Sequence, residues 1–163
     1  LAHTSYATAR GFCQSAYLMM TNPARFQVSN DSSFVLGFHH LIGFSVELYL
    51  KGLLQHIGFS VEQLRKRKFG HNLSSLNVAC MENGIEIDSA HFLCEYLKPH
   101  ERFEYRYSGS DISYMVCPLD YVFYKLGALD TAVDHQIGAS AALGRLPRAG
   151  WQFPDDMKQW RFD

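Results

Sequence analysis

The sequence predicts an all-α, single-domain bundle of about five helices. Three observations carry that expectation. A long apolar segment, Phe34 to Ile57, keeps helical spacing throughout. The segments around it are punctuated by helix signals: Asn22-Pro23, Gly58, Ser60 with Gln63, and Asn83-Gly84. No stretch alternates apolar and polar residues as a half-buried strand would. At 163 residues the chain can bury a full core in one domain.

The first helix is expected over about Ser5 to Met20, stopped by Asn22-Pro23. A polar connection follows, in which Asp31, Ser32 or Ser33 can accept a backbone N–H bond and cap the next helix. The second helix is the spine. Ile42, Val46, Tyr49, Leu50, Leu53 and Ile57 form one apolar face, and Leu41, Phe44 and Leu48 form a second beside it. Only a narrow stripe remains polar or small: His40, Gly43, Glu47, Lys51 and Gln55. Such a helix is packed on several sides. Gly43 and Gly52 cost helix propensity, so they point to close approach of a neighbour.

Ser60 and Gln63 form a capping-box pattern for a short third helix, which ends in Arg65-Lys66-Arg67-Lys68 and Gly70. His71 or Asn72 then starts a helix through Leu73, Leu76, Ala79 and Cys80. Asp88 or Ser89 caps another, carrying Phe92, Leu93, Tyr96 and Leu97, and Pro99 breaks it. Tyr107 to Pro118 is expected as a loop. Pro118 opens the last helix, whose face is Leu119, Val122, Phe123, Leu126, Leu129, Val133 and Ile137. Residues 1–144 are thus the bundle, and residues 145–163 a tail that is flexible or docked on a neighbour.

Composition limits the function. A net charge of −1 rules out a protein-wide electrostatic grip on nucleic acid, so any such grip is local. Cys13, Cys80, Cys94 and Cys117 are far apart, which suits reduced, buried thiols and gives no closed zinc site. No His-x-x-x-His occurs, so no metal or cofactor is expected. The start of the chain lacks signal-peptide features. Phe34–Ile57 is long enough to span a membrane, but His39, His40, Glu47 and Lys51 would be costly in lipid. The expected setting is cytoplasmic, with no membrane contact.

Four constellations can carry chemistry. Glu47 stands four residues before Lys51, the favourable order for a helical ion pair. With His40 the pair forms either a stabilising rim or a polar seam that binds a ligand. Arg65 to Lys68 either attracts phosphate or is a solvated helix end. His71 either fixes its own turn or acts as a base or ligand. Arg102 and Arg106, one helical turn apart, either clamp a phosphate or pair with nearby carboxylates.

The motif Glu47-Leu-Tyr-Leu-Lys51-Gly-Leu-Leu54, followed by Gly70-His71-Asn72-Leu73-Ser-Ser-Leu76 and by Arg106-Tyr107, resembles the HEPN superfamily (higher eukaryote and prokaryote nucleotide-binding). The likeness spans roughly Ala7 to Ile137. It implies a bundle of four or five helices, often a homodimer. Many members of that superfamily are ribonucleases of toxin–antitoxin and phage-defence systems that use Arg-x(4–6)-His near the last helix. From Arg106 that window holds Asp111 and no His. The resemblance therefore implies a non-catalytic or divergent member that engages RNA, a nucleotide or a partner protein. The contacts it and the charge pattern suggest are Lys51, Arg65, Lys66, Arg67, Lys68, Arg102 and Arg106. One alternative is a metal-independent endoribonuclease, in which Arg106 would work with His71 or His100 across a dimer. Another is an assembly protein anchored through Trp151, Phe153 and Trp160.

Overall fold

The computed structural model describes residues 1–28, 30–104, 115–147 and 151–162. It is an all-α bundle, with no strand among the described residues. Among the described residues six α-helices occur in the order α1 Ala2–Thr21, α2 Ser32–His56, α3 Val61–Arg65, α4 Leu73–Glu82, α5 Asp88–Tyr96 and α6 Leu119–Ile137. Short 3-10 turns cover Pro23–Gln27, Lys98–Arg102, Ala141–Leu143 and Asp155–Met157.

The spine forms as its pattern dictates. Ile42, Val46, Tyr49, Leu50 and Leu53 are fully buried, and α2 touches α1, α4, α5 and α6. Each such aliphatic or aromatic side chain contributes roughly 1.5–3 kcal/mol by leaving water. Ile57 departs from the expected face: it is the C-cap residue, where the helix ends and the chain turns outward, and it is exposed. Gly58 follows it at φ 106°, in the left-handed region that a Cβ disfavours. Against α1 the spine meets Ala9, Cys13 and Ala16, all fully buried, whose small volume lets the two helices lie side by side. There Ser45 donates to the Ala9 carbonyl at 2.7 Å. Gly52 also faces α1, but a Cβ there would sit 3.5 Å from Ala2 O, an ordinary contact. The close approach expected at Gly52 is therefore present, with the α1 backbone also at 3.8 Å through Tyr6 N, although an added methyl would still fit.

The other punctuation differs in detail. Ser60 and Gln63 make both bonds of the capping box. Asn72 caps α4 by accepting from Ser75 N–H at 2.8 Å. Asp31 stands at the N-cap of α2 but makes no cap bond, because its carboxylate is committed to Arg25. Asp88 and Ser89 do not cap α5 either; Ile87 precedes it without a side-chain cap. Pro118 precedes α6, and every apolar residue of the expected α6 face is buried.

Residues 151–162 of the tail lie against their own bundle. Trp160 packs on Phe38 and stacks on His39, and its indole N–H donates to Cys117 O at 3.0 Å. Trp151 and Phe153 pack on Phe123 and Tyr17. Arg25 locks the arrangement. Its guanidinium pairs with both oxygens of Asp31 and donates to the carbonyls of Met20, Met157 and Gln159. Both side chains are buried.

Candidate functional site

The site grows from one carboxylate. Glu47 lies at the middle of α2, on the polar stripe, and is 3% exposed. A buried carboxylate must be satisfied or neutralised. Here Oε1 accepts from Lys51 Nζ at 2.7 Å, one helical turn along the same face. Oε2 bonds His71 Nδ1 at 2.8 Å and His100 Nε2 at 3.0 Å. Burial pushes the Glu47 pKa up, but hydrogen bonds from His100, Lys51 and His71 and the Lys51 charge outweigh it and hold the group at about 2. Glu47 is therefore a permanent anion around which three cationic or neutral donors are arranged.

Two local structures deliver the histidines. His71 sits in the turn between α3 and α4, just after Gly70 at φ 26° and just before the capping residue Asn72. The turn is tied by Asn72 N–H to Phe69 O at 2.7 Å. His100 comes from the Lys98–Arg102 turn that Pro99 opens. That turn is latched to the start of α4: Glu101 Oε1 accepts from both the backbone N–H and the hydroxyl of Ser74, at 2.8 and 2.6 Å. Lys98 Nζ reaches Ser74 Oγ at 2.8 Å and Glu101 Oε2 at 3.2 Å.

Gly43 is the fourth requirement. A Cβ at this position would lie 2.4 Å from His100 Nδ1 and 2.8 Å from its Cγ. The helix therefore carries glycine one turn before Glu47 because an imidazole ring occupies the space. Phe44 packs edge-on against both His71 and His100, at ring-centroid distances of 5.8 and 5.0 Å, and Phe103 packs on His71 at 4.7 Å. These rings shield the cluster on its flanks.

The cluster is closed at one end and open at the other. The His100 side chain is 4% exposed, whereas Lys51 is 15% and His71 34% exposed. Lys51 and His71 thus form the mouth, and His100 the floor.

Of the residues singled out in the sequence, the structure brings Glu47, Lys51, His71 and His100 together. His40 keeps to the same stripe but packs edge-on against Phe44 rather than joining the carboxylate. His71 does not serve its own turn: its partner is 24 residues away. Arg65, Lys66, Arg67 and Lys68 are all exposed, and among the described residues none forms a salt bridge. Lys68 lies over the ring of Phe69, 5.2 Å from its centroid. Arg102 is exposed and pairs with Glu104 at 3.4 Å, so it stays outside the cluster. Arg106 and Tyr107 lie outside the described residues, as does most of the Tyr107–Pro118 segment. Sequence reasoning missed the Glu101–Ser74 latch altogether. It read Gly43 as room for a helix, not for a ring, although its place one turn before Glu47 marks the spot.

The thiols take no part. Burial pushes Cys13, Cys80 and Cys94 up to about 12, leaving no thiolate near neutrality. No helix among the described residues is long and apolar enough to cross a membrane. No family model matches this chain, no curated protein is significantly similar to it, and no solved structure matches it.

Proposed function

We propose that this protein is a HEPN-like binding module that engages the phosphates of RNA or of a nucleotide. The contacts are Lys51 and His71 at the mouth of the cluster and the basic turn Arg65 to Lys68 beside them in sequence. The observation that carries this reading is the fixed pair at the mouth. A buried anion holds an ammonium and an imidazole by one edge each, which leaves the other Lys51 N–H donors and the second ring nitrogen of His71 for a ligand. The four exposed cations that precede His71 add local attraction that the net charge of the chain does not. A homodimer and a role in toxin–antitoxin or defence systems follow from the HEPN likeness, a cytoplasmic setting follows from the dispersed thiols, and all belong to the same proposal.

A salt titration of binding to a single-stranded RNA oligonucleotide, read by fluorescence anisotropy, tests it. Affinity should fall linearly with salt on logarithmic axes. Neutralising Lys66 and Arg67 to Gln should reduce the slope by about 1 for each phosphate left without its cation. No binding at low salt, or binding indifferent to salt, removes the phosphate role.

Cleavage of RNA is the second reading, favoured by the convergence of two imidazoles and a lysine on one carboxylate. It requires a base at the ribose 2′-OH and an acid at the leaving oxygen. Only His71 reaches the mouth; His100 is walled off behind it. One protomer thus offers a single usable imidazole, which is why binding is the better reading. A cleavage assay on structured RNA with His71→Ala and Arg106→Ala as controls separates the two. Assembly through the tail has less support, since Trp151, Phe153 and Trp160 already pack on their own bundle.

A further inference from the structure

We infer that Glu47, His71 and His100 form a three-ligand site for a zinc-class divalent cation. The inference goes beyond phosphate binding and does not depend on it. One carboxylate oxygen and two imidazole nitrogens converge from three separate segments, with all three atoms within 4.8 Å of one another. Oε2 stands 2.8 Å from His71 Nδ1 and 3.0 Å from His100 Nε2. Ligands about 2.0–2.2 Å from a tetrahedral zinc lie about 3.3 Å apart. Admitting the ion opens each N···O separation by a few tenths of an ångström and brings the two ring nitrogens, now within 4.8 Å of each other, to a similar spacing.

The chemistry of the set selects the cation class. Imidazole with a single carboxylate suits zinc and its first-row neighbours, whereas magnesium and calcium call for oxygen ligands. The geometry favours low coordination. Lys51 holds Oε1 at 2.7 Å, so Glu47 has only Oε2 to offer and binds through one oxygen. His100, Phe44 and Phe103 close the floor and flanks. Three protein ligands and one position facing the half-exposed His71 side make a four-coordinate site with an open place for water.

Supporting groups hold the ligands ready, as metal sites need. Gly43 seats the His100 ring, and the Glu101–Ser74 latch fixes the turn that carries it. Without metal, the ring nitrogens facing Oε2 donate their protons to it. On binding, each of those nitrogens becomes a ligand and its proton resides on the other nitrogen of the same ring. The exchange needs no redox partner.

The experiment uses the full chain stripped with a chelator and then titrated with Zn2+ by calorimetry and with Co2+ by visible absorption. Expected are one Zn2+ per chain, with a Kd of about 1 μM or tighter, and the intense ligand-field bands of tetrahedral Co2+. His71→Ala, at the rim and so the least disruptive to folding, should weaken Zn2+ by more than about 100-fold, as should His100→Ala if it folds. Lys51→Met should bind Zn2+ at least as tightly, because a neighbouring cation is gone, while losing RNA affinity if the phosphate reading holds. Absence of Zn2+ binding overturns the site. So does stoichiometric binding that survives His71→Ala, or the pale spectrum of six-coordinate Co2+.

Discussion

Two carboxylates, Asp31 and Glu47, are buried to nearly the same degree in this bundle, yet their surroundings are opposite. Asp31 meets a guanidinium that spends its remaining donors on three backbone carbonyls, and Asp31 itself also accepts from Arg161 N–H. Every group there is sealed. Glu47 meets three side chains, of which two reach the surface. The first cluster ties the tail to the bundle. The second keeps polar atoms at an opening. Burial of a charge is thus a poor guide to its role; what distinguishes the two is whether the partners are used up.

The comparison can be broken most sharply at Arg25. Arg25→Ala leaves Asp31 buried and unpaired, and should cost about 3–5 kcal/mol in urea denaturation. It should also expose residues 151–162 to limited proteolysis, since the carbonyls of Met157 and Gln159 lose their anchor.

Acid should open the same end without mutation. His39 bonds Val35 O and Tyr96 OH and stacks on Trp160 of the tail. Burial lowers its pKa to about 4, against an ordinary value of 6.5. The unfolded chain therefore binds the proton more readily. This contribution is complete above about pH 6.5 and is lost as the pH falls toward 4, amounting to about 3 kcal/mol. Denaturation midpoints across that window should fall, and His39→Gln should flatten the fall. A midpoint unchanged between pH 7 and pH 4 would contradict the assignment.

Gly43→Ala strikes the open cluster. The added methyl meets the His100 ring, so the ring must leave its seat. The net loss should be about 1–3 kcal/mol despite a gain of about 1 kcal/mol in helix propensity. The His71 and His100 imidazole resonances should shift while those of Trp160 stay put. The smallest effect sharpens the contrast: Glu47→Gln should cost only about 1–2 kcal/mol. Lys51 and His71 can turn to water, as the partners of Asp31 cannot. A Glu47→Gln loss equal to that of Arg25→Ala would mean the two clusters are alike.

The fold was legible because its signals are local. The α2 and α6 faces, the Ser60–Gln63 box and the Asn72 cap each act within a few residues, so spacing alone exposed them. Part of the site was legible too. Glu47 and Lys51 share a helix face, and His71 follows a basic run. His100 was harder to place, because nothing in its neighbourhood relates it to a residue 53 positions earlier. Arg25 gave no signal, and the Asp31 side chain signalled only a helix cap that it does not make: the meaning of both depends on a tail more than 120 residues away.

The sequence by itself determined that the chain is helical, to within a few residues where its helices lie, and that a thin polar line runs along the central one. These follow from periodicity and caps, which are short-range. Only the tertiary structure decided which carboxylate became a sealed tie and which an open cluster. That choice rests on which distant turn or tail the packing brings within 3 Å of each charge, and no local pattern encodes such a meeting.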